Sequence, residues 1–128
     1  MVSLKEIYQL NERADFQYIA SELVKYYGLK SKVKFGSSND GDYDFDKDII
    51  ILRKNYPNVK EFVVSVLHEI HHAKQRQKFG LKKFLKKYNQ ASNMADLQGK
   101  DRYLHNKWER KAENWAQQEY KRYWKDKF

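Results

Sequence analysis

The stretch Asn58-Val-Lys-Glu-Phe-Val-Val-Ser-Val-Leu-His-Glu-Ile-His-His-Ala73 decides how this chain of 128 residues is to be read. It follows Pro57, and Asn58 with Glu61 is a near-match to a capping box, so the spacing predicts a helix running to about Lys78, before Gly80. Val63, Val66, Leu67, Ile70 and Ala73 give that helix an apolar side. Inside it stands His68-Glu69-Ile70-His71-His72. Histidines four residues apart lie about 40° apart around a helix axis and one turn along it, so His68 and His72 can reach one ion. Glu69 is too far round to be an easy third ligand, but it can act as general base toward a water in the ion's open position. His71 is read as a neighbour, although His68 and His71, three residues apart, form a conceivable alternative pair.

Working outward, Leu4, Ile7, Tyr8, Leu10, Ala14, Ile19, Leu23 and Tyr26 recur mostly at three and four, which predicts helix from Ser3 to about Tyr27, ended by Gly28, with Asn11 to Asp15 as a point where it may divide. The period then changes. Val33 and Phe35 alternate with lysines, Tyr43 and Phe45 with aspartates, and Ile49-Ile-Ile-Leu52 is a β-branched run, so three strands are expected. Gly36 to Gly41 reads as a turn between the first two and Asp46-Lys47 as a tight link between the last two, giving a small antiparallel sheet. Beyond Gly80 a short helix is expected over Leu81 to Tyr88, then an irregular connection from Asn89 to about Tyr103, then a last helix from about Leu104 to Tyr123. The fold class is α+β, one domain over residues 1–128.

Composition sets the boundaries. The absence of cysteine excludes disulfides, thiolate zinc sites, iron–sulfur clusters and a cysteine nucleophile, so any metal falls to His, Asp and Glu. Aromatic residues at 16% argue for a packed core despite a mean hydropathy of −1.00. No apolar run is long enough for a membrane span and no secretory signal is visible at the N-terminus, so a cytoplasmic protein is expected. The net charge of +9 points to anionic partners and says nothing of fold. Lys82, Lys83, Lys86 and Lys87 on one helix face, and Arg122, Lys125 and Lys127 beside Tyr120, Tyr123 and Trp124, are candidate phosphate contacts, though such runs are usually solvated faces. The aspartates at 40, 42, 44, 46 and 48 open like a calcium-binding loop, but Phe45 and Ile51 stand where that loop needs Gly and Glu; a hairpin with Tyr43 and Phe45 inward is the better reading.

A third ligand is offered by Trp108-Glu109-Arg-Lys-Ala112-Glu113-Asn-Trp115-Ala116, where Glu109 and Glu113 share a helix face. One can bind a metal and the other can accept the free ring N–H of a ligating histidine; geometry leaves open which does which. His105, a candidate substitute ligand, and Tyr103 are also candidate stabilisers of an oxyanion, against ordinary aromatic contacts.

His-Glu-x-x-His followed by Glu-x-x-Ala-(acidic)-x-x-Ala on a later helix resembles the gluzincin class of zinc metallopeptidases. The resemblance covers roughly Tyr43 to Ala116. The strand run before the first motif and the Trp115-Ala116 pair are similar to small metallopeptidases encoded by phages and mobile elements, including those related to repressor-cleaving anti-repressor proteases. It implies a minimal zincin-like domain with Zn2+ held by His68, His72 and Glu109, Glu69 as catalytic base, Glu113 as the carboxylate behind a ligand, and Ala112 and Ala116 as the small residues that allow close helix packing. The implied activity is hydrolysis of a peptide or protein substrate, with the strand Ile49 to Leu52 or its neighbour as the platform for an extended substrate. The competing reading is a basic nucleic-acid- or protein-binding module with a degenerate or structural zinc site.

Overall fold

A strand with no polar side chain has nothing to offer water, and Ile49–Leu52 lies accordingly in the middle of the sheet, with Ile49, Ile50 and Leu52 buried. The computed structural model describes residues 16–37, 41–101 and 106–128. Within them the elements are a helix over residues 16–26 (α1), strands Lys32–Phe35 (β1), Gly41–Asp44 (β2) and Ile49–Leu52 (β3), and helices Val59–Phe79 (α2), Leu81–Leu97 (α3) and Lys107–Glu119 (α4). The protein is α+β, as expected. The beginning of the expected N-terminal helix and its dividing point lie outside the described residues.

The sheet order is β1-β3-β2, with β1 parallel to β3 and β2 antiparallel to it, Tyr43 opposite Ile50. It is therefore mixed, which corrects the antiparallel sheet expected from sequence. Charges alternating along β1 and β2 suit the two edges, and the apolar β3 suits the centre. Gly36 to Gly41 does not close a hairpin. Instead the backbone N–H groups of Gly36 and Ser37 both donate to the Leu52 carbonyl, at 2.7 and 3.0 Å, as the chain leaves β1 past the end of β3.

The β2–β3 link is the expected tight turn. Asp44 Oδ1 accepts from the backbone N–H groups of Asp46 and Lys47, both at 3.0 Å. Asp48 sits in the left-handed region at φ 56°, and its Oδ1 accepts from Ser31 Oγ at 2.6 Å and Tyr43 Oη at 2.5 Å. Its carboxylate therefore turns inward, away from the outward polar face that sequence suggested.

α2 is the central helix. Asn58 Oδ1 caps it by accepting from the Glu61 N–H at 2.9 Å, and Gly80, at φ 81°, ends it with its own N–H on the Arg76 carbonyl at 2.8 Å. Phe62, Val63, Val66, Leu67 and Ile70 are fully buried in the core shared with the sheet and α1. α3 starts at once after Gly80 and continues to Leu97, where an irregular connection was expected from Asn89 onward. Asn and Ser are weak helix formers, and tertiary contacts carry this extension: Ser92 and Ala95 are buried, and Asn106 Nδ2 donates to Ser92 Oγ at 2.8 Å and to the Tyr88 carbonyl at 3.1 Å. Asn106 also caps α4, its Oδ1 accepting from the Trp108 N–H at 2.8 Å. α4 ends at Glu119 in a π-helical turn, Tyr120–Trp124, where a single helix to Tyr123 was expected. Trp124 is thereby seated against α1, its Nε1–H donating to Tyr27 Oη at 3.0 Å, and Tyr27 Oη donating to Glu119 Oε1 at 3.1 Å.

Asn106 is fully buried and joins α3 to α4. Asn106→Ala is expected to cost about 2–4 kcal/mol in urea unfolding, through loss of the cap and of two buried hydrogen bonds. Asn106→Asp keeps the cap acceptor but turns a carboxylate oxygen toward the Tyr88 carbonyl in a fully buried site, and should lose at least as much.

Candidate metal centre

α4 packs along α2, with Ala112 and Ala116 fully buried, and this brings Glu109 to the two histidines. His68, His72 and Glu109 are all buried, with one potential ligand atom from each lying within 4.8 Å of the others. His68 Nε2 is 3.0 Å from Glu109 Oε1, and His72 Nε2 contacts the same oxygen.

The outer nitrogens settle the tautomers. His68 Nδ1 is 2.8 Å from Glu113 Oε2, and His72 Nδ1 is 3.1 Å from Gln75 Oε1. A carboxylate and an amide oxygen only accept, so each Nδ1 carries the proton and donates it. Each Nε2 then faces Glu109 Oε1, a contact that holds only with a proton shared between them or a cation in their place. Tyr88 Oη donates to Glu109 Oε2 at 3.0 Å, so the carboxylate's second oxygen is held away from the cluster. Burial lowers the affinity of His68 for a proton, but hydrogen bonds to Glu109 and Glu113 outweigh it and push the imidazole up to about 10. Burial acts upward on Glu109, and the hydrogen bonds from His68 and His72 outweigh it, holding the carboxyl well below its usual range. Glu113, at the exposed rim, is lowered chiefly by its bond to His68.

Glu69 is only 4% exposed and lies against β2. A Cβ added at Gly41 would sit 3.3 Å from Glu69 Oε1 and 3.4 Å from its Cγ. Burial pushes the Glu69 carboxyl up to about 7, against the pull of His72 and His68. A carboxyl tuned to neutrality can both take and return a proton near pH 7. The Phe45 ring walls the cluster, its centre 5.9 Å from that of His72 and 5.6 Å from that of Tyr88. Arg76 Nε donates to the Phe45 carbonyl at 2.6 Å and fastens the β2–β3 turn to α2.

The structure thus brings together His68, Glu69, His72, Glu109 and Glu113. His71 stands outside the cluster, its ring 5.2 Å from that of Trp115 and its imidazole lowered to about 4 by burial. Tyr103 and His105 lie outside the described residues. Ile49–Leu52 is paired along both edges, by β1 and β2, and so has no free edge, while the outer edges of its two neighbours bear no other strand among the described residues. On β2 the Tyr43 N–H is taken by Asp42 Oδ1 at 2.9 Å. Lys82, Lys83, Lys86, Arg122, Lys125 and Lys127 are exposed and Lys87 is half-buried, but Trp124 is buried and offers no stacking platform beside them. Two residues of the site escaped the sequence. Gln75, one turn beyond His72 on the same helix, was open to discovery from its i+3 spacing; Tyr88 gave no local signal, since it completed an apolar stripe with Leu81, Phe84 and Leu85.

Comparison with known proteins gives no matching family model, no matching curated protein and no matching solved structure.

Gly41→Val places a branched side chain where a bare Cβ already meets Glu69. Gly41 has no left-handed φ to relieve, so the expected loss of about 1–3 kcal/mol in urea unfolding is steric.

Proposed function

We propose that this chain is a zinc-dependent metallopeptidase in which His68, His72 and Glu109 hold Zn2+ and Glu69 is the general base. The observation that carries the reading is the paired arrangement of the imidazoles: each Nδ1–H is fixed by an acceptor while both Nε2 atoms face one carboxylate oxygen. Two imidazoles and a carboxylate are the donor set of hydrolytic zinc sites, and acceptors behind the histidines are their usual support. Zinc supplies Lewis acidity there, toward water and toward a peptide carbonyl.

The chain's own residues do the rest. Glu69 removes the proton from the attacking water and delivers it to the departing amine, two transfers that suit a carboxyl near neutrality. Glu113 and Gln75 orient the imidazoles, and Tyr88 fixes Glu109 so that one oxygen faces inward. An extended peptide is aligned along the outer edge of β2, where Gly41 touches Glu69. A structural zinc site in a basic binding module has no use for a buried carboxyl poised beside the ligands, which favours the enzyme. No helix among the described residues is long and apolar enough to cross a membrane, and a cysteine-free chain fits a reducing cytoplasm, which is where we expect it to act.

Metal analysis of the purified protein is expected to find about one zinc per chain, lost in His68→Ala and Glu109→Gln; unchanged zinc in both variants would overturn the ligand set. Glu69→Gln should keep its zinc and lose about 10²–10⁴-fold in peptide hydrolysis, and retained hydrolysis rejects it as the base. Tyr88→Phe should weaken zinc binding about 10–100-fold in a chelator competition, with the fold unchanged.

A further inference from the structure

The stripe of α2 beside the metal ligands carries His71, Lys74 and Lys78, and with Gln75, Gln77, Phe79, Trp108 and Lys111 it lines an open cavity of about 530 Å³ between α2 and α4. The ammonium groups lie over aromatic rings. Lys74 Nζ is 4.9 Å from the centre of Trp115, Lys111 Nζ 4.9 Å from that of Trp108, and Lys78 Nζ 5.2 Å from that of Phe79. Beyond the rim the pattern continues, with Lys87 at 5.4 Å from Phe79 and Lys107 at 5.1 Å from Trp108. The two rings are themselves in edge contact at 5.9 Å, so four ammonium groups from three helices surround one aromatic pair, with Lys74 beside them in the cavity.

Among the described residues no carboxylate stands within ion-pair distance of Lys74, Lys78 or Lys111. Ring faces offset part of the mutual repulsion of these cations, and an anion would offset the remainder. The cavity supplies point charges and amides and has no guanidinium, a set that takes anionic oxygens such as those of phosphate without a bidentate geometry. The cations run past the cavity on both sides, which fits a polymer with repeated charge better than one small ion. Trp108 is only 8% exposed, and the part-exposed rings of Phe79 and Trp115 are covered by the ammonium groups of Lys78, Lys87 and Lys74, so contact falls on the backbone.

We propose that this face of α2 and α4 binds the phosphate backbone of a nucleic-acid strand without regard to sequence. The site draws Lys87 from α3 but is separate from Lys82, Lys83 and Lys86 on that helix's outer face, and it does not depend on the metal reading.

The test is fluorescence anisotropy of a labelled oligothymidine against the full chain over a salt series. Wild type should bind at low salt and weaken steeply as salt rises. Lys78→Glu with Lys111→Glu should lower affinity about ten-fold or more and reduce the log–log salt slope by about 1 per lysine. Lys82→Glu with Lys86→Glu makes the same change of net charge on the outer face of α3 and should leave binding within about three-fold. The milder pair Lys78→Gln with Lys111→Gln, with circular dichroism matched to wild type, separates loss of the site from loss of the fold. Failure of wild type to bind, equal losses in the two charge-reversed variants, or competition by polyglutamate as effective as that by unlabelled oligothymidine overturns the proposal; the last outcome assigns the face to an acidic protein.

Discussion

Two imidazole nitrogens and a carboxylate oxygen, buried and turned toward one another between α2 and α4, impose the constraint on which the rest of the structure depends. Buried polar groups are tolerated when every hydrogen-bonding atom has a partner, and a half-satisfied network is worse than an apolar core. Glu113 and Gln75 satisfy the outer nitrogens and Tyr88 the outer carboxylate oxygen, so what remains unsatisfied is confined to one point. That concentration requires α4 to lie close to α2 and at a fixed height along it. Ala112 and Ala116 permit the closeness, and the Asn106 cap, tied to Tyr88 and Ser92, fixes the height three residues before Glu109.

How much of this can be read from the chain follows from how far each residue's partners lie along it. The α2 helix, its cap at Asn58 and its end at Gly80 are local, as is the shared face of Glu109 and Glu113, and all stand where the spacing puts them. Joining the two helices 37 positions apart needed a chemical argument, that two imidazoles on one turn want a third donor. The order of the strands was legible but misread, because the turn-forming composition of Gly36 to Gly41 outweighed the simpler signal that charged strands belong at edges. The length of α3 was not legible. Its second half is held in place by Asn106, the cap of α4, which donates to Ser92, and no window of that segment contains it.

The positive charge divides along the same helices. Glu69 of α2 with Glu109 and Glu113 of α4 gather on one side of the helix pair, while Lys74 and Lys78 of α2 with Lys111 of α4 line the cavity beside it. A dication approaching a +9 molecule is opposed by its long-range field, but screening limits that field to about 8 Å at physiological salt, and within that distance the ligand cluster presents carboxylates. The two groups meet at Gln75, which accepts from His72 on one side and lines the lysine cavity on the other. Cation and anion chemistry can therefore stand on one helix without cancelling.

The strand order bears directly on Glu69, the base we propose. Glu69 is buried because β2 lies over it, and β2 can approach because Gly41 has no side chain there. In the arrangement expected from sequence, with β2 between β1 and β3, both edges of β2 would be paired and Gly41 would be closed to any extended chain. With β3 in the centre, the strand that desolvates Glu69 is one of the two whose outer edge is clear of other strands among the described residues. The same contact then raises the carboxyl toward neutrality and sets it beside the edge along which a peptide would lie. The apolar run Ile49–Leu52 thus acts on the proposed chemistry at a distance: by taking the middle of the sheet, it leaves the glycine strand at the margin, against Glu69.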